Sequence, residues 1–236
     1  NRFFLKSIAF SACIAACSAQ AQVYELEEQS FDNPEFRAYF AKSYVAESST
    51  NPNITAEEKG LFDEIVPLIG SDPRAAIRRL EGSLGPDSSA AFDYILGNLY
   101  YQEGQTKDSI ASYKQAIKKF PNYSQAYYNM GRAYVAESDY ANALKGLQKS
   151  LSIEAGDGTM YGLIGYCYLN MDRPSTALDA YKVAIMLAPD SKDWKLGQLQ
   201  CLIALERSQE AIGLLYEFIK AEPDKADWWK LQANQF

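Results

Sequence analysis

Residues 124–157 read SQAYYNMGRAYVAESDYANALKGLQKSLSIEAGD, and this stretch decides the fold. Apolar residues recur at helical spacing in two runs, separated by the breaker Ser138-Asp139. Small residues, Gly131 and Ala143, let two antiparallel helices approach closely. Tyr127, Met130, Tyr134 and Leu147 fill the space beside them. The stretch reads as one helix-turn-helix unit.

The same columns recur at a step of 34 on both sides. Gly97, Gly131 and Gly165 fall on it, as do Tyr100, Tyr134 and Tyr168. So do Ser109, Ala143, Ala177 and Ala211, and Tyr113, Leu147, Tyr181 and Leu215. Pro121, Pro189 and Pro223 close three units, with Ala155 in the remaining place; proline stops a helix because it lacks the donor and clashes with the preceding turn. Further breakers are Glu103-Gly104-Gln105 and Met171-Asp172-Arg173-Pro174. Four units follow, at 90–123, 124–157, 158–191 and 192–225, and 226–236 reads as the first helix of a fifth, with Trp229, Ala233 and Phe236 in pattern. In the fourth unit Lys195 and Leu199 occupy the large and glycine columns, with Trp194 and Gly197 as substitutes.

A repeat of this period that cannot bury its apolar face alone must stack into a solenoid. Upstream, Thr55-Ala56-Glu57-Glu58 has the form of a capping box and Asp72-Pro73 that of an N-cap with proline at the first helical position. Residues 55–89 therefore read as a degenerate leading pair, with Ala75 one step before Ser109. Residues 22–54 form an acidic segment with a capping helix from Asn33-Pro34, carrying Phe36, Tyr39, Phe40 and Tyr44 on one face.

Residues 1–21 look like an address rather than part of the fold. Arg2 and Lys6 flank an apolar stretch from Ile8 to Ala16, and Ala19-Gln20-Ala21 offers a cleavage site. Alternatively, Ile14-Ala15-Ala16-Cys17 has the form of a lipobox, which would make Cys17 a lipidated N-terminus. Cleavage after Ala21 removes two cations and no acid, so the net charge of −7 becomes −9. The chain begins with Asn, and with the broken fifth unit this suggests a longer reading frame.

Composition narrows the chemistry. The chain of 236 residues has 23 Lys and Arg, 30 Asp and Glu, and no His. Such an acidic balance is unsuited to nucleic acid, and the lack of His removes His-based triads and His metal sites. No phosphate loop or calcium loop is present, and no transmembrane span is expected in the mature chain. No metal, cofactor or enzymatic activity is expected. Cys167 and Cys201 share a column in adjacent units, too far apart for a disulfide, so two buried reduced thiols are expected.

The recurring columns, large, Leu-like, Gly, Tyr, then Ala, aromatic, Ala and Pro, resemble the tetratricopeptide repeat. The resemblance implies an all-α, right-handed superhelix whose concave face, made by the first helix of each unit, binds a protein or peptide. In this register the outward columns carry Tyr94, Asn98 and Tyr101; Tyr128, Asn129 and Arg132; Gly162, Leu163, Tyr166 and Leu169; then Leu196, Gln200 and Ile203. Aromatic rings supply area and amides bind a peptide backbone. Tetratricopeptide domains that clamp a chaperone's C-terminal carboxylate use two Asn with three cations. Asn98 and Asn129 match, but Tyr94, Thr159 and Leu163 stand where the cations should be, so that clamp is not expected.

Three runs, residues 30–37 (SFDNPEFR), 162–170 (GLIGYCYLN) and 226–234 (ADWWKLQAN), are similar to exported tetratricopeptide proteins that accompany TonB-type systems of Gram-negative bacteria. That resemblance implies a periplasmic scaffold beside TonB, ExbB and ExbD. The alternative, tied to Cys17, is an outer-membrane lipoprotein serving pilus or outer-membrane protein assembly.

Overall fold

The computed structural model describes residues 50–224 and Trp228. These residues form ten helices and no strand. A leading pair, α1 (Lys59–Ser71) and α2 (Pro73–Glu81), precedes four regular pairs. These are α3 (Ala90–Gln102) with α4 (Thr106–Lys119), α5 (Ser124–Ala136) with α6 (Tyr140–Ile153), α7 (Gly158–Asn170) with α8 (Pro174–Leu187), and α9 (Lys192–Ala204) with α10 (Ser208–Ala221). Each first helix starts 34 residues after the last one, and so does each second helix. Expectations placed on residues 1–49 and 229–236, including the address segment, Cys17, the capping helix and most of the fifth unit, lie outside the described residues.

The turn inside each regular unit repeats one backbone device. Gly104, Ser138, Asp172 and Glu206 all have positive φ, between 57° and 73°. After each, a donor reaches back five residues: Gln105 N–H to Tyr100 O, Asp139 to Tyr134, Arg173 to Tyr168 and Arg207 to Leu202, at 2.8–2.9 Å. This Schellman closure satisfies carbonyls that the helix end leaves open.

Within a unit the glycine and large columns meet as expected. A Cβ on Gly97 would lie 2.6 Å from the Tyr113 ring, one on Gly131 2.9 Å from Leu147, and one on Gly165 3.0 Å from Tyr181. Helices therefore cross at glycine with a large side chain filling the notch. The fourth unit differs: Leu199 stands in the glycine column and is buried against the same core as Leu215. Trp194 instead covers Gly162 of α7, where a Cβ would come within 2.4 Å of the indole, and its ring stacks with Tyr181 at 6.3 Å. Tyr181 also lies over Gly197.

The leading pair is tied down as the capping box implies. Thr55 N–H donates to Glu58 Oε2 (2.9 Å) and Glu58 N–H to Thr55 Oγ1 (3.2 Å). Glu58 Oε1 accepts from Ser89 N–H at 2.6 Å, which links α1 to the start of α3. Asp72 caps α2 by accepting from Ala75 N–H. The register of this pair is shifted by one: Ala76, not Ala75, is fully buried. The Asp72-Pro73 cap starts α2 at Pro73, one residue later than the 34-residue step from Thr106 would give.

Between units, α3 touches α5, α5 touches α7, and α7 touches α9, while each second helix leads onto the next unit's first helix. A row of first helices in mutual contact is the tighter side of the stack, which makes it the inner face. No described helix is long and apolar enough to cross a membrane.

A polar and aromatic inner face as candidate binding site

The inner-face residues fall into two groups. Tyr94, Asn98 and Tyr101 on α3 meet Tyr128, Asn129 and Arg132 on α5. Tyr166 and Leu169 on α7 and Gln200 on α9 lie further along the row.

In the first group the network is closed from below. Asn129 Nδ2 donates to Tyr94 Oη (2.9 Å) and to Asn98 Oδ1 (2.9 Å), and Tyr113 Oη donates to the same Asn98 Oδ1 at 2.7 Å. Both amide hydrogens of Asn129 are thereby used, and the amide is buried. Tyr94 is buried too, its ring 4.8 Å from Tyr123 and 5.9 Å from Tyr113. Burial pushes the Tyr94 and Tyr113 phenols above their ordinary range, and Tyr128 to about 12 although Arg132 pulls it back. These hydroxyls are neutral hydrogen-bonding groups at physiological pH.

Above this floor, Arg132 is half-buried, its guanidinium 5.6 Å from the Tyr101 ring centre and 5.8 Å from that of Tyr128, within cation–π range. Asn98, Tyr101, Tyr113, Asn129 and Arg132 line a narrow hollow with no space for a water molecule.

The second group is more apolar. Tyr166 is half-buried and packs edge-on against Tyr140 of α6 at 5.9 Å. Leu169, Leu196 and Ile203 are half-buried against the core under α7 to α10, and Gln200 is half-buried beside them.

Four residues expected on the open face are interior, Gly162 among them because Trp194 covers it. Tyr94, Asn129 and Leu163 are 8%, 8% and 1% exposed, because neighbouring units cover them; they support the face rather than form it. The expectation did not include Tyr113, which belongs to a second helix yet reaches the hollow through the notch at Gly97. The glycine column facing it was the available signal. Cys167 and Cys201 are free and fully buried, and burial pushes both thiols to about 12, leaving them protonated and inert. Among the described residues no group of His, Cys, Asp or Glu is placed to hold a metal.

Comparison with known proteins gives the same architecture. A TPR repeat model matches residues 97–138, and tetratricopeptide repeat models match 124–157 and 168–234. The 124–157 match has the limits of the second unit. Among curated proteins, the general transcriptional corepressor trfA of Dictyostelium discoideum is 30% identical over 98 residues, 42% of this chain. Tetratricopeptide repeat protein 16 of Mus musculus is 22% identical over 166 residues, 67% of this chain. The chain spans 7% and 22% of those two relatives' lengths. Among solved structures, MamA 41-end from Desulfovibrio magneticus RS-1 is similar with a TM-score of 0.65 at 17% identity, covering 73% of this chain and 98% of that one. YrrB, described as a TPR protein with an unusual peptide-binding site, gives 0.59 at 20% identity, covering 68% and 81%. From the 34-residue step, the glycine notches and these matches, the chain carries tetratricopeptide repeats stacked as an all-α solenoid.

Proposed function

We propose that the inner face binds an extended protein segment and that the chain serves as a non-catalytic scaffold. The observation that carries this reading is the strip of half-buried polar, aromatic and aliphatic side chains, Tyr101, Tyr128, Arg132, Tyr166, Leu169 and Gln200, laid across successive first helices. Rings with fixed supports below supply contact area at low entropy cost. The peptide-binding site named for YrrB, on the same kind of fold, supports it. The test is selection from a random displayed peptide pool, followed by Tyr128→Ala and Tyr166→Ala. Each is expected to weaken the selected peptides about tenfold, corresponding to loss of one buried aromatic contact, with helicity unchanged by circular dichroism. Undiminished binding would remove this face from the account.

The place of action in this reading is the periplasm, beside TonB, ExbB and ExbD. It rests on the amino-terminal pattern Arg2 to Ala21 and on the runs at 30–37, 162–170 and 226–234. A second reading, a lipoprotein assembly factor at the outer membrane, rests on Ile14-Ala15-Ala16-Cys17. Intact mass of the chain purified from envelopes separates them: a start at Gln22 favours the first, a diacylglyceryl Cys17 the second.

A further inference from the structure

We propose that the outer face made by α2, α4 and α6 is a cationic docking surface, and that its occupant is the acidic run 22–35 of the same chain. This surface is separate from the inner face and does not depend on what that face binds.

The charge is unevenly laid out. The helices α2, α4 and α6 hold nine Lys and Arg against two acids, Glu81 and Asp108. The other seven helices hold six against seven. A chain of net charge −7 thus gathers its cations on one stretch of second helices. Some of them have partners: Arg74 with Glu103, Arg79 with Glu64 and Lys119 with Asp93. Lys114 lies over the Tyr134 ring and Lys145 donates to Asn142. Arg78, Lys107, Lys118 and Lys149 are exposed and carry no ion pair among the described residues. Of the acids bordering the face, Glu81 accepts from the Tyr100 hydroxyl, and Asp72 and Asp139 cap α2 and α6. Asp87, Glu137 and Glu154 lie beyond the helix ends.

The spacing adds a cost that an anion would remove. Arg74 and Arg78, Lys114 and Lys118, and Lys145 and Lys149 are each four apart on one helix. Like charges at that spacing repel and weaken the helix.

The occupant follows from charge and reach. Residues 22–35 carry Glu25, Glu27, Glu28, Asp32 and Glu35 and no cation. They stay in the chain whether it is cut after Ala21 or lipidated at Cys17, and they lie outside the described residues. The described chain begins beside the face. Ser89 Oγ donates to Asn53 O at 2.6 Å, and Lys119, next to Lys118, donates to Gly85 O and Ser88 Oγ of the same loop. The link 36–49 spans about 50 Å if extended and about 20 Å if helical, and α4 is about 21 Å long. Either span brings the acidic run to these helices.

The experiment uses the chain from Gln22 onward, as an equal mixture of ¹⁵N-labelled and unlabelled protein. Zero-length carbodiimide coupling of carboxylates to lysines is read by mass spectrometry. Peptides from 22–35 are expected to couple to Lys107, Lys114, Lys118, Lys145 or Lys149 within one chain. The yield should fall at 1 M salt, where the screening length drops to about 3 Å. A second chain carries Glu→Gln at 25, 27, 28 and 35 and Asp32→Asn, all outside the ten helices. In it, amine labelling of Lys107, Lys118 and Lys149 should quicken about two- to threefold, the scale of a surface ion pair. Lys182 and Lys220, on α8 and α10, should be unchanged. Coupling spread evenly over all exposed lysines, or undiminished at 1 M salt, would overturn the proposal. Coupling only between labelled and unlabelled chains would give the face to a second copy and overturn it too. So would wild-type binding to phosphatidylglycerol vesicles as tight as that of the neutralised chain, which would show an open face taken by lipid.

Discussion

Single residues do unequal work in this solenoid, and Lys119 does more than its place near the end of α4 implies. Its ammonium reaches Asp93 Oδ2 at 2.6 Å and donates to Gly85 O (2.9 Å) and Ser88 Oγ (2.8 Å). One cation thus joins α3, α4 and the loop after the leading pair. Asp93 is 6% exposed, and desolvation raises its pKa against the opposing pull of Lys119. Removing the cation leaves that carboxylate buried without its counter-charge, which typically costs about 3 kcal/mol. Lys119→Met is expected to lose about that much at pH 7 in urea unfolding. The cost has a sign in pH. Without Lys119 the folded-state pKa of Asp93 rises further, so the folded form takes up a proton more readily than the unfolded one. The penalty should shrink as pH falls from 7 toward 4. A penalty that grows on acidification would mean the pair is not what holds this corner.

At the scale of the element, the turn between paired helices is the most regular object in the chain. The left-handed position is Gly in the first unit and Ser138, Asp172 and Glu206 in the others. A side chain with a Cβ costs about 1–2 kcal/mol there, part of which glycine returns through its freer unfolded chain. Glu206→Gly is therefore expected to stabilise by about 0.5–1 kcal/mol and raise the melting midpoint; a lower midpoint would show that the Glu206 side chain supplies something the turn needs. These turns explain what the sequence allowed one to see. Breakers and glycine columns at a fixed step locate the helices of the four units, because one local geometry is repeated without insertion. The leading pair's register was not visible in that step, because its start is set by Asp72-Pro73 rather than by the column of Ser109. Nor was the burial of Tyr94, Asn129 and Leu163. A first helix is covered on three sides, by its own partner and by both neighbouring units, and the pattern of one helix cannot say how much of its remaining side the neighbours leave open. Trp228 makes the same point: the 34-residue pattern falls on Trp229, yet it is the Trp228 ring that stacks on Phe218, at 4.9 Å.

For the whole molecule, a solenoid's stability is set unit by unit and junction by junction, so an irregular unit has consequences that a globular core would average away. The fourth unit is irregular. Its glycine column holds Leu199 opposite Leu215, so α9 and α10 lack the notch that draws the other pairs together. In compensation α9 leans on the third unit. Trp194 fills the space over Gly162 and stacks on Tyr181, and Tyr181 covers Gly197. The helix packs more closely on α8 than on its own partner α10. Local opening should follow these contacts rather than the repeat boundaries. Native-state hydrogen exchange is expected to show α10 less protected than α4, α6 and α8, with α9 protected to a level near α7 and α8. Trp194→Ala, a large-to-small change at a site 5% exposed, should cost roughly 3 kcal/mol and bring α9 down to the protection of α10. If α9 and α10 instead open together in the wild type, at one free energy distinct from that of α7 and α8, the 34-residue unit is the cooperative block and the bridge through Trp194 does not couple the third unit to the fourth.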